Sequence, residues 1–533
     1  MTAQPNDGSG RAPVVIVRPT TSITSGVAVT QKLVSAAVAF GNLLKGTFGP
    51  NGLDKMLYKT NGETSVTNDG AKIVAELLVK HPAAKAFVQL AESQENACGD
   101  GVTGCLIFAS ELMQESGVLL EKGLHPLILA NGYQEAMEKT IDIINNISVP
   151  VSIDDEVILE SVALTSMTGT SVEPVGGKLA KLVVKAVTQI ANQNNGAWEI
   201  DTEQVRMAKK AVGSLSDTKL INGIIIQKKI ELESFPSKLK DGKVIVLSCP
   251  LELEKTSYDS EIEISTTDQW VSFMDAEDAY LERKAKAIID SGASMVFCAE
   301  TIDARILHML AEHEIFALGS LEKSGASDVA LATGALMIDH VDDIDASVLG
   351  TFQSMNLESL DSDDGRMNRL YLDVGKKSGL TTIDVCGGGG TTSEEFIRGI
   401  YDALNSVAKS IESGLVICGG GNSHIIAALA IKEFAESISG RERLAMEAFA
   451  RALESIPTTL FANSGNNTLD GLLKLRSIVK SGSENCGVTK EGNADQLTNV
   501  WECSDTLLHG LQAACETACG LLRVDQVISA RGD

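Results

Sequence analysis

Four glycine-rich turns are candidates for holding a phosphate group: TFGPNGLDKM (47–56), VTNDG (66–70), GDGVTG (99–104) and CGGGNSH (418–424). GDGVTG opens a stretch whose pattern predicts a helix. The backbone N–H groups of Gly101, Val102, Thr103 and Gly104 would point out of its first turn, where unpaired donors and the helix dipole stabilise phosphate oxygens. Asp100 is anionic and cannot bind phosphate directly, but it suits a magnesium ion that bridges to phosphate. CGGGNSH has no side chains to block a flat ligand. The Walker pattern GxxxxGK[ST] is absent, so a phosphate site here is not a P-loop. A dinucleotide fingerprint at 99–104 would need a preceding strand, and LAESQENAC reads as helix. Taken alone, each turn also fits an ordinary helix start. Asp69 then reads as a turn or N-cap residue, and Asp402 of IYDAL as a helix-surface carboxylate.

Other chemistries find little support. The ten cysteines contain no CxxC, and most lie in apolar company, as at VFC (296–298) and VIC (416–418). They read as buried reduced thiols. Seven histidines form no HExxH, and His308 and His313, five apart, would not share a helical face.

The elements that must position these turns follow from length and periodicity. At 533 residues the chain exceeds what one hydrophobic core supports, and about three or four domains are expected. The spacing of Val27, Leu33, Ala37, Phe40 and Leu44 predicts a helix that breaks at Gly49-Pro50. Further helices are predicted over 102–121, 126–147 and 178–193, and the polar interval 164–177 reads as a domain junction. From about 223 short β-rich runs alternate with helices at 277–289 and 303–312. Strand signal returns at 369–375 and 380–386. After 394 the pattern is helical again, over 394–412, 423–437, 441–455, 467–479 and 505–523. The order helical, α/β, helical argues a multidomain α/β protein. A formal charge of −26 opposes binding to duplex nucleic acid or an anionic membrane. No apolar run reaches the ~18 residues of a membrane span, and the first residues lack signal-peptide features, so a cytoplasmic location is expected.

The succession GPNGLDKML, VTNDGAKI, GDGVT, IYDAL, GGGN and LLRVDQVI resembles the group II chaperonin signature in its family order, from about residue 25 to 530. The middle segments KVIVLSCPLELEKTSYDSEIEI and DSGASMVFC are most similar to archaeal thermosome subunits. The resemblance implies a chaperonin fold in five segments. A mostly helical equatorial domain takes 1–152 and 405–533, an α/β intermediate hinge takes 153–222 and 372–404, and an α/β apical domain takes 223–371. It implies an ATPase using ATP and Mg2+, assembled with other chaperonin subunits into a double ring. That ring encloses unfolded or partly folded polypeptide and closes a built-in lid on ATP hydrolysis.

By the same resemblance Gly49, Pro50, Gly420 and Asn463 lie around the nucleotide, with Asp525 near its ribose. Asp100 holds magnesium, and Gly101, Val102, Thr103 and Gly104 meet the phosphates. Asp69 and Asp402 align and activate the attacking water. Residues 251–273, alternating Leu251, Leu253, Tyr258, Ile262, Ile264, Trp270 and Phe273 with acids, correspond to the lid protrusion. The same residues also read as packing on the apical core. Four departures stand out. GDGTTT is here GDGVTG, GGGAxE is GGGNSH, EPxxVK is ECSDTL (502–507), and a lysine often found after TSxTG is Thr170. Beside an active ATPase, a subunit that binds ATP but hydrolyses it weakly stays open as the alternative.

Overall fold

The computed structural model describes residues 22–58, 62, 64–77, 79, 81–253, 266–362, 365–375, 378–483 and 485–529. Its N-terminal helices are α1 (Val27–Lys45), α2 (Gly70–Ala75), α3 (Pro82–Cys98), α4 (Val102–Glu121) and α5 (Pro126–Ile147). The middle of the chain contributes α6 (Glu156–Met167), α7 (Gly176–Ile190), α8 (Thr267–Asp290), α9 (Ala304–Glu312), α10 (Glu322–Thr333) and α11 (Thr391–Ser413). Four more follow, α12 (Asn422–Glu436), α13 (Glu442–Asn463), α14 (Thr468–Lys480) and α15 (Ser504–Leu522). The chain divides into two compact units. One comprises Met1–Ser148, Ile417–Thr498 and Ser504–Asp533, and the other Val149–Val416 and Asn499–Cys503.

The first unit is helical because its helices carry apolar stripes that must be buried together. In α1, Val29, Leu33 and Ala37 recur at four-residue spacing and are buried. α1 and α4 run antiparallel in close contact. A Cβ on Gly41 would lie 2.0 Å from Ser110 Oγ, and one on Gly117 would lie 3.0 Å from Val34 Cγ1. Lys45 pairs with the buried Glu111 of α4 near the same end. The core of this unit draws on α3, α4, α5, α12, α13 and α15 together, so residues from both ends of the chain share it.

α13 departs from the sequence reading. Pro457 ends the predicted helix at 455, yet the helix continues to Asn463 with Pro457 inside it. Pro457 packs against the turn at Gly421, and burial of Phe461 and Leu460 beyond it offsets the lost backbone bond.

The second unit carries a seven-stranded mixed sheet. Its order is 316–318, 295–298, 238–247, 350–362, 365–373 and 223–228, with 337–338 also paired to 238–247. The strands 295–298 and 316–318 are fully buried apolar runs, as parallel strands covered on both faces require. A three-stranded sheet (205–210, 381–386, 219–221) adjoins it along the chain. The interval 164–177 is less a junction than expected. Its first residues belong to α6, and α6 and α7 share one core.

Of the segment 251–273, Leu251 is buried and bridges to Ile302, while Trp270, Val271 and Phe273 are exposed at the start of α8. Leu251 thus packs on the core as one reading expected, and Tyr258, Ile262 and Ile264 lie outside the described residues. The ten cysteines are thiols, nine of them buried and Cys249 half-buried. Burial pushes the Cys298 thiol up to about 12, which keeps it protonated and unreactive. No helix among the described residues is long and apolar enough to cross a membrane.

Candidate functional site

α3 ends at Gly99, and Asp100 and Gly101 turn the chain into α4. Gly101 has φ +80°, a conformation glycine adopts without a Cβ penalty. The first bond of α4 is donated by the Cys105 N–H to the Gly101 carbonyl. The N–H groups of Val102, Thr103 and Gly104 therefore precede the intrahelical ladder and face out of the helix end. Gly101 differs from the expectation, because its N–H donates to Oδ1 of Asp100 at 2.6 Å. Val102 contributes only backbone, since its side chain is buried in the core.

Two other turns meet this helix end. Asp69 is the N-cap of α2, and its carboxylate accepts from the N–H groups of Ala71 (2.9 Å) and Lys72 (3.2 Å). This is the N-cap role the residue alone allowed, and it holds the Asp69 side chain in one rotamer. Next to it, a Cβ on Gly70 would lie 2.5 Å from Thr103 Oγ1. From the other side, the Phe48 ring lies 3.5 Å from where a Cβ on Gly104 would be. Thr47–Pro50, Asp69-Gly70 and the start of α4 are therefore neighbours.

α13 ties the turns from the two ends of the chain. Pro457, Leu460 and Asn463 are three residues apart and lie on one stripe of that helix. Pro457 meets the turn at Gly421, and Leu460 fills the space beside Gly49, where a Cβ would come within 2.2 Å of its Cδ2. Asn463 donates to the carbonyls of Lys45 and Phe48, each at 2.7 Å. Its amide thus caps the C-terminal end of α1 and holds the turn that leads to Gly49 and Pro50. Gly420 accepts from the Val488 N–H at 2.9 Å and packs on Leu497.

Asp525 lies elsewhere. Its carbonyl accepts from the Gly26 N–H at the start of α1, whereas Gly49 follows the end of that helix. A helix of 19 residues spans about 28 Å at ~1.5 Å per residue, so the structure does not bring Asp525 to this cluster. Asp402 belongs to the second unit, on α11. Thr170 packs on the same helix, its Oγ1 3.4 Å from where a Cβ on Gly399 would be, and its hydroxyl donates to the Met167 carbonyl at 2.6 Å.

Sequence reasoning missed several residues that hold these turns. Asn51 donates to the Lys490 carbonyl (2.7 Å) and to Ser464 Oγ (3.1 Å), and Asn422 donates to the Cys486 carbonyl (2.7 Å). The signal available was an asparagine beside each glycine turn, in GPNG and GGGN. Burial pushes the His424 imidazole down to about 4, so it is neutral near pH 7.

The donor set suits a nucleoside phosphate with a divalent cation. One carboxylate beside a helix N-terminus is what Mg2+ needs when phosphate supplies further ligands. Among the described residues no cluster of three or more His, Cys, Asp or Glu would hold a metal by itself.

Residues 40–532 match the model of the TCP-1/cpn60 chaperonin family. The chain is 36% identical over 523 residues to thermosome subunit beta of Archaeoglobus fulgidus, covering 98% of this chain and 95% of that protein. It is 36% identical to a thermosome subunit of Methanopyrus kandleri, covering 93% and 91% of the two chains. With thermosome subunit alpha of Halobacterium salinarum it shares 34% identity, covering 98% and 92%. With matches of this extent on top of the gathered glycine turns, the chain belongs to the TCP-1/cpn60 chaperonin family.

Proposed function

We propose that this chain is an ATP-hydrolysing subunit of a protein-folding chaperonin. It assembles with like subunits into a double ring that encloses unfolded polypeptide and closes a built-in lid. The observation that carries the ATP site is the meeting of the Gly49 turn, Asp69-Gly70 and the start of α4, held by one stripe of α13. Relatives named as alpha and beta subunits within one organism support assembly with like chains.

In this reading the first-turn N–H groups of Val102, Thr103 and Gly104 hold phosphate oxygens. Asp100 would hold Mg2+, whose charge when bound offsets that of the phosphates. The Gly49-Pro50 and Gly420 turns would flank the nucleotide. Asp69 and Asp402 align a water for attack on the terminal phosphorus. The water's proton passes to a carboxylate as the bond to the leaving ADP oxygen breaks.

The test is Asp402→Ala. It should leave nucleotide affinity nearly intact and lower hydrolysis by about 10²-fold, because it removes water activation and no phosphate contact. Turnover within a few-fold of the wild type would exclude the role. The weakly hydrolysing alternative is favoured by Thr170, whose hydroxyl is used on its own Met167 carbonyl. Its mark would be tight ATP binding by the wild type without measurable turnover.

A further inference from the structure

Gln94 is an uncharged polar side chain with no exposed surface, four residues before the end of α3. An amide in that position must find partners for two donors and an acceptor. Nε2 donates to the Asp100 carbonyl at 2.9 Å and to the Thr506 carbonyl of α15 at 3.2 Å. With both donors directed at carbonyls, the amide orientation is decided, and Oε1 is the acceptor left for Nδ1 of His509 at 2.7 Å. His509 Nδ1 must then carry the hydrogen. Thr506 and His509 are three residues apart on α15, so one face of that helix supplies both contacts. The surroundings are close: a Cβ on Gly101 would lie 3.2 Å from Gln94 Nε2, and one on Gly510 would lie 3.5 Å from Oε1.

The consequence runs through a single peptide plane. The Asp100 carbonyl and the Gly101 N–H belong to the same planar unit and point in opposite directions. Holding the carbonyl fixes the N–H, and that N–H donates to Oδ1 of Asp100. We infer that Gln94 and His509 form a positioning pair that aims the Asp100 carboxylate at the divalent cation. This rests on the ATP site proposed above and names how its metal ligand is oriented from the C-terminal segment of the chain. Gln94, with no exposed surface, acts on the site only through the groups it holds.

The experiment measures metal affinity and not turnover. Mn2+, read by electron paramagnetic resonance, is titrated onto the full-length protein saturated with ADP. Gln94→Glu keeps the size but sets carboxylate oxygens against two carbonyls, and should weaken Mn2+ affinity at least ~10-fold by misdirecting Asp100. His509 is only partly buried and supplies a second test that does not depend on the core tolerating a charge. His509→Leu removes the donor and should weaken Mn2+ several-fold. His509→Asn, whose amide nitrogen takes the place of Nδ1, should restore most of the loss. A purely structural role would move the unfolding midpoints of Leu and Asn variants without separating their metal affinities. Equal Mn2+ affinities in wild type, Gln94→Glu and His509→Leu would overturn the pair while leaving the ATP site standing. A wild type that binds no adenine nucleotide would overturn the functional reading, and the pair with it.

Discussion

Replacing Asn463 tests whether the turn before Gly49 is held by the last residue of α13. Its Nδ2 makes two hydrogen bonds of 2.7 Å, to the carbonyls of Lys45 and Phe48. Both are between neutral groups and partly buried, so each contributes about 1 kcal/mol net, and the freed carbonyls regain some water. Asn463→Ala should therefore cost about 2 kcal/mol in ordering residues 46–50. A nucleotide that binds only the ordered turn would lose affinity by that amount, roughly 30-fold at 1.4 kcal/mol per tenfold. Asn463→Asp gives a sharper contrast. It preserves volume but turns a donor into a carboxylate facing two carbonyl oxygens, so it should bind no better than Ala. The assay is calorimetric titration with a non-hydrolysable ATP analogue and Mg2+, with the unfolding midpoint recorded for each variant. Affinity within two-fold of wild type for Ala, or tighter binding by Asp than by Ala, would refute the clamp.

Other perturbations address the metal, the sheet seam and pH. Asp100→Ala should weaken Mg-ATP binding about tenfold while binding of Mg-free nucleotide changes little, and unchanged Mg-ATP affinity in the same titration would remove its metal role. Arg369 and Asp384 form a fully buried ion pair between the seven- and three-stranded sheets, joined by Tyr371 and Glu358. Arg369→Met alone should cost about 3 kcal/mol by removing the nearest cation of buried Asp384, which keeps only the Tyr371 hydroxyl at 3.2 Å and Lys219 at 4.0 Å, and Arg369→Met with Asp384→Leu should regain most of it in urea unfolding. His424 is held down to about 4 from its ordinary 6.5 by burial. The unfolded chain therefore takes up the proton first, and stability present above about pH 6.5 is lost as pH falls toward 4. Melting curves across that range should flatten in His424→Gln, and an unchanged slope would show that His424 does not titrate there.

Much of this protein was legible in local sequence. The bounds of α4 and α5, the strand at 295–298, the helical approach to Gly99 and the burial of the cysteines all depend on side-chain periodicity and backbone preference. These operate within a turn or a strand length. The motif order also carried the family. What the chain could not disclose locally were contacts made across hundreds of residues. Pro457 reads as a helix stop, and only packing on Gly421 and the buried residues beyond it keep α13 intact to Asn463. Family resemblance places Asn463 around the nucleotide, but only the fold discloses that its amide holds the carbonyls of Lys45 and Phe48. Asp525 shares the family's order but lies at the far end of α1, because order along a chain carries no distance. Gln94 gives no sign in a helix pattern that it joins Asp100 to α15. Elements form where short-range preferences agree, so sequence alone determined most of them, the last turns of α13 beyond Pro457 excepted. Which turns meet, and which polar groups find partners, was decided only by burying the apolar faces of both chain ends in one core.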